Sequence, residues 1–182
     1  MITIQDKRFK LTAEYNDYHY QEELTKKLDE VENDFDQNQI NEIVLWKVNR
    51  YTKLDHETLT KLNGIKKTDK KIDKELTRTI LKALLPKKGI QLPMASTILR
   101  FKNPKLYQII DQRVYRIVYG ENLNLSYNYD ERRSDEQINI YLDYLDQLRV
   151  VSDRLNIKFE LADRILYMAD KDLNKDEPLR NY

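Results

Sequence analysis

The 182-residue sequence predicts an all-α fold: one multi-helix domain over residues 18–176, with a short extended arm at 1–17 and a charged tail at 177–182. Three observations lead there. Only three Gly and four Pro stand against 40% hydrophobic and 35% charged residues, a mix that suits solvated helices better than a turn-rich sheet. Apolar residues recur every third or fourth position along most of the chain. The stretch 69–103 reads as two helices joined by a connection too short for anything but a tight hairpin.

Taken in order, Ile2, Ile4, Phe9 and Leu11 suit an extended arm. Over 18–35, Tyr20, Leu24, Leu28 and Val31 form one stripe on a charged rod and predict a covering helix. Ile40, Ile43, Val44, Leu45, Trp46 and Val48 are denser and predict a buried helix, entered through the turn-prone Asp36-Gln37-Asn38. Asp55 starts another, closed at Asn63-Gly64 with glycine as the left-handed residue. Asp69 is the expected cap of the next, whose Ile72, Leu76, Ile80 and Leu84 line one face as far as Pro86. After a turn over 87–92, Pro93 opens a helix that ends near Asn103-Pro104, because the residue before proline disfavours helical geometry. The hairpin unit therefore spans about 70–102. Asp111 stands at a helix N-terminus, with Val114, Ile117 and Val118 at helical spacing and Gly120 as the stop. Residues 121–132, rich in Asn and Tyr, read as a loop. Ser134 precedes a long helix with Ile138, Leu142, Leu145, Leu148 and Val151, and 159–168 supply the last.

The absence of Cys excludes disulfides, thiolate metal sites and cysteine nucleophiles. His19 and His56 have no partners at ligand or triad spacing, so neither metal nor cofactor is expected. No apolar run approaches the roughly 20 residues of a membrane span, and MITIQDKRFK lacks the apolar core of a signal peptide; a soluble, cytoplasmic protein without a membrane partner is the expectation.

A formal net charge of +1 hides an uneven distribution. Residues 14–42 carry ten acids and two bases, residues 66–120 four acids and fourteen bases, and residues 121–182 fourteen acids and nine bases. The middle stretch is a candidate polyanion-binding surface. Its Lys66, Lys67, Lys70, Lys71 and Lys74 read equally well as the solvated face of one helix.

A helix-hairpin-helix holds DNA by turning the N–H groups of its hairpin, and of the helix that follows, toward phosphates. Gly89 permits the bend and the close approach; Lys87, Lys88 and Arg100 add attraction, and Gln91, Pro93 and Ser96 lie at the second helix's start. Such contacts position DNA without reading it, so the expected partner is double-stranded DNA.

The segment LLPKKGIQLPMASTILRF followed by IIDQRVYRI resembles the hairpin and aspartate block of the helix-hairpin-helix DNA glycosylase superfamily, over roughly 40 residues. WK-x-x-R at Trp46, Lys47 and Arg50 is also similar to a stretch of small bacterial proteins with this hairpin. The resemblance places Asp111 on the family's catalytic aspartate and Arg116 on the basic residue of the helix after it. It implies a monofunctional enzyme that flips a modified base from the duplex while Asp111 stabilises the sugar cation or activates water, a role supplying about 10²–10⁴-fold in rate. Pro93 stands where strand-cleaving members carry the Schiff-base lysine, and Gln91 replaces the second hairpin glycine; neither a lyase step nor an iron-sulfur cluster is expected. Trp46, Tyr51 and Tyr107 are candidate pocket walls, since flipped bases stack on aromatic faces.

Structural readings stand beside these. Asp111 is equally a helix cap, Trp46 equally core, and Lys47 and Arg50 either snorkel to the surface or, for a buried Lys47, offer an amine nucleophile. Two further functions stay open: a non-catalytic DNA-binding module in genome maintenance or phage defence, and a protein-interaction domain working through the acidic 14–42 stretch.

Overall fold

The computed structural model describes residues 5, 7, 8, 20–32, 34–49, 51–125 and 130–179. Among them the protein is all-α, as the composition predicts, with eight α-helices, one 3₁₀ turn and no strand. The predicted extended arm falls almost wholly outside the described residues, as do His19, Arg50, Tyr127 to Tyr129 and the last three residues of the tail. The backbone forms two compact units, residues 1–51 and residues 52–182.

In the first unit, α1 (Glu22–Asp29) packs on α2 (Gln37–Lys47). Asp36 caps α2 through a capping box with Gln39, so the turn read from 36–38 is there for a physical reason. Trp46 ties the pair together. Its indole N–H donates to Thr25 Oγ1 at 2.9 Å, its carbonyl accepts from Tyr20 and Gln21, and its ring meets Tyr20 edge-on at 5.3 Å. The covering helix is shorter than 18–35, and α2 is not the buried helix its composition predicts: none of its residues is buried, and Val44 is 55% exposed. Ile40, Val44, Leu45 and Trp46 lie around α2 rather than along one stripe, and an eight-residue α1 that buries only Leu24 cannot cover them.

The second unit holds α3 (His56–Leu62), α4 (Lys74–Leu84), α5 (Leu92–Lys102), α6 (Gln112–Tyr119), α7 (Glu131–Arg154), the 3₁₀ turn Phe159–Leu161 and α8 (Ala162–Leu173). One core joins them: Ile80, Leu81 and Leu84 of α4, Leu92, Ala95 and Leu99 of α5, and Ile138, Tyr141, Leu145 and Leu148 of α7 are buried together. Burying such side chains stabilises by about 1.5–3 kcal/mol each relative to exposure.

Several caps differ from the sequence reading. Asp55 caps α3 as expected, accepting from the Thr58 N–H at 2.7 Å. Asn63, not Gly64, closes it, in right-handed geometry; Gly64 is required instead because a Cβ there would lie 2.9 Å from the Lys61 carbonyl. Asp73 rather than Asp69 caps α4, since Asn103 claims the carbonyls of Lys66 and Asp69 and holds 66–69 as a turn. Asp130, four residues before Ser134, caps α7, and Ser134 is buried inside that helix. Gly120 ends α6 in the left-handed conformation, φ 75°, as its position suggests.

Candidate functional site

α4 stops at Leu84, before Pro86 can break it, and the chain turns through 85–91 into α5. Gly89 makes the turn possible with φ +79°, a conformation L side chains rarely adopt. A Cβ there would meet Thr52 Oγ1 at 3.2 Å, and that hydroxyl already donates to the Lys88 carbonyl at 2.9 Å. Gly89→Ala is therefore expected to cost about 1–2 kcal/mol, seen as a lower urea midpoint at unchanged slope.

The side chains expected to meet DNA are only partly at the surface. Lys88, Gly89 and Gln91 are exposed, and Pro93 occupies the first turn of α5. Lys87 is ion-paired with Asp55, which together with the Thr58 N–H holds the Asp55 carboxyl well below its ordinary range. Ser96 and Arg100 are corrections, because both are buried. They lie on the core side of α5 together with Leu92, Ala95 and Leu99, the i, i+3, i+4, i+7 and i+8 positions of one helical face.

The burial of Ser96 does structural service. Ser96 Oγ donates to the Pro93 carbonyl at 2.8 Å and accepts from the Ile110 N–H at 3.2 Å, linking α5 to the residue before Asp111. Two buried tyrosines of α7 fix the same segment: Tyr141 donates to the Gln108 carbonyl at 3.0 Å and Tyr144 to the Ile109 carbonyl at 2.7 Å. Burial pushes both phenols well above their ordinary pKa, so they remain neutral donors. Three hydrogen bonds thus set the backbone at 108–110, immediately ahead of Asp111.

Asp111 is the N-cap of α6. Its Oδ1 accepts from the Arg113 N–H at 2.8 Å, and among the described residues its other carboxylate oxygen accepts no hydrogen bond. It lines a pocket of about 370 Å³ together with Ile109, Val114, Asp163, Tyr167, Met168 and the exposed Arg164. Asp163 is 3% exposed and faces Arg100, 7% exposed, with 3.6 Å between Oδ2 and Nε. Neither atom makes a hydrogen bond.

Of the candidate pocket walls, none lines this pocket. Tyr107 is a correction: it is core, 2% exposed, donating to Thr77, whose own proton goes to the Asp73 carbonyl. Trp46 and Lys47 belong to α2, Tyr51 ends the first unit, and Arg50 lies outside the described residues. The walls the sequence missed, Tyr167 and Met168, sit in the last helix and are exposed, so periodicity alone reads them as surface.

Arg116, aligned by the resemblance with a basic residue of the site, is committed to structure. Its Nε and Nη2 grip the fully buried Asp170 of α8 at 2.7 and 2.9 Å, and Arg113 and Asn174 complete the cluster at 3.2 and 2.8 Å. Among the described residues no three His, Asp or Glu side chains converge as a metal site would require, and no helix is long and apolar enough to cross a membrane. No protein-family model, curated protein or solved structure matches the chain.

Proposed function

We propose that the protein is a DNA glycosylase-like enzyme that hydrolyses the N-glycosidic bond of a modified base flipped from the duplex. One observation carries this reading: a carboxylate with one oxygen committed to a helix cap and the other uncommitted lies on the wall of an apolar pocket. A volume of about 370 Å³ falls in the range of small-molecule sites, about 300–1,000 Å³. Tyr167 offers a ring on which a base stacks, at the cost of a few kcal/mol of unstacking from the duplex. Water then attacks the sugar C1′, the bonding pair of the N-glycosidic bond leaves with the base, and Asp111 takes the water's proton or balances the cationic sugar. The departing base takes its proton from solvent. Lys88 and the N–H groups of the turn other than those of Lys87 and Ile90, which bond within it, supply phosphate contacts at the start of α5, whose Ser96 holds the Ile110 backbone.

The test is base release from duplexes carrying uracil, 8-oxoguanine, alkylated purines or modified cytosines, with wild type against Asp111→Asn. Asparagine caps a helix about as well as aspartate, so the variant is expected to keep the wild-type melting temperature and lose at least about 10²-fold in release. The cap bond to Arg113 is itself a sufficient reason for an aspartate here, and it favours a second reading, a hairpin module that binds DNA without chemistry. Duplex binding without release from any substrate would select it.

A further inference from the structure

We infer that the main phosphate-contact surface is a preformed lysine loop at the far end of α5 from the hairpin, residues 66–71 together with Lys105, gathered around Asn103. The inference rests on the proposed duplex-binding function and names where the duplex is held.

Counting charge along the sequence overstates how much of the basic 66–120 stretch is available. Lys74 pairs with Asp146, Lys82 with Asp135, Lys87 with Asp55, Arg100 with Asp163, and Arg113 and Arg116 with Asp170. Four of these five acids belong to the acidic 121–182 stretch, so that segment neutralises its basic neighbour. Arg78 is held by Asn139, and Lys66 and Lys102 by Asn63. Among the described residues Lys67, Lys70, Lys71 and Lys105 are exposed and take part in none of these pairs.

A single buried side chain brings these lysines together. Asn103, fully buried, donates from Nδ2 to the carbonyls of Lys66 at 2.8 Å and Asp69 at 3.2 Å, and its Oδ1 accepts from the Lys105 N–H at 3.1 Å. Asp69 closes the turn by accepting from the Lys66 N–H at 2.8 Å. Ile65, 2% exposed, anchors the loop in the core, and Lys102 Nζ reaches Asn63 Oδ1 at 2.7 Å. The loop backbone is therefore ordered before any ligand arrives, which lowers the ordering entropy that binding must overcome.

The spacing suits a duplex. α3 packs on α4, its cap Asp55 reaches Lys87 of the turn, and Asn63 at its other end reaches Lys102 at the end of α5, so turn and loop stand at the two ends of α5. The eleven residues of α5 span about 16 Å, close to five base-pair steps. The loop lysines meet phosphates as point charges and read no sequence.

The experiment titrates a labelled duplex of mixed sequence against the full-length protein across a range of KCl, using wild type, Lys67→Gln/Lys70→Gln/Lys71→Gln, and a control carrying Lys158→Gln/Lys171→Gln/Lys175→Gln. All six positions are exposed, so the fold is expected to survive, checked by melting. The loop variant is expected to lower the slope of log K against log salt by about 2.7, at 0.9 per phosphate contact, and the control to leave it unchanged. If wild type binds and the loop variant keeps its slope, or the control lowers it as much, this inference fails while duplex binding stands. If wild type binds no duplex, or binds anionic vesicles instead, both this surface and the proposed function fall.

Discussion

Asp170→Ala is expected to lower the unfolding free energy by about 3–5 kcal/mol, the range for breaking a buried charge pair by removing one partner. Asp170 is fully buried and accepts from Arg116 twice, from Arg113 and from Asn174. The loss is not the worth of one contact, because it leaves two partly buried guanidinium groups between α6 and α8 without their counter-charge. Burial by itself pushes the Asp170 carboxyl upward, but Arg116, Asn174 and Arg113 outweigh it and hold it below its ordinary value. A carboxyl lowered in the folded state gives stability that is complete above its unfolded pKa, about 3.9, and is lost as pH falls through the folded value. Urea melts at neutral pH and again below about pH 4 check both parts: a large gap between wild type and variant at neutrality, narrowing in acid. Near-equal melts at neutrality would mean that Arg113 and Arg116 swing out to solvent at little penalty. α6 begins at Asp111 and α8 carries Tyr167 and Met168, so loosening this cluster also loosens the pocket.

What could be seen in the sequence, and what could not, follows from how local each signal is. The end of α4, the turn before α5 and the cap at Asp111 depend on Pro86, Gly89, Pro93 and Asp111 acting on residues within four positions, and local stereochemistry decides them. Asp69 and Asp73 are equally good caps by residue type; the choice falls to Asn103, some thirty residues away, which sequence spacing does not reveal. Arg100 reads as a surface base because charged residues are seldom buried unpaired, yet its partner Asp163 lies three helices later. The same applies to Arg116 with Asp170. α2 failed in the opposite direction: density of apolar residues predicts burial only where a partner surface exists, and α1 is too short to supply one. The pocket was missed as a whole because four of the residues that line it, Asp163, Arg164, Tyr167 and Met168, come from α8, separated from Asp111 by more than fifty residues.

Arg100 and Asp163 pose the second large test, because they resemble the Asp170 cluster in burial and differ from it in geometry. Asp163→Ala alone is expected to cost about 3–5 kcal/mol, since Arg100 is then buried without its counter-charge. Replacing both together, Arg100→Met with Asp163→Leu, is expected to recover the wild-type value or exceed it by about 1–4 kcal/mol. The reason is the 3.6 Å between Nε and Oδ2, too long for a hydrogen bond, with neither atom otherwise satisfied. Desolvation is then poorly offset: Arg100 keeps one donor on the Glu160 carbonyl at 3.2 Å, and Asp163 one acceptor from the Arg164 N–H at 2.7 Å. Urea denaturation of both singles and the double closes a mutant cycle, and a double variant less stable than wild type by as much as the single would show that the pair is worth more than its geometry allows. Asp163 also lines the pocket beside Asp111, so in the proposed function the pair serves the site rather than the fold. The double variant is accordingly expected to melt no lower than wild type and to release base more slowly, the combination that separates a polar group kept for the pocket from one kept for stability.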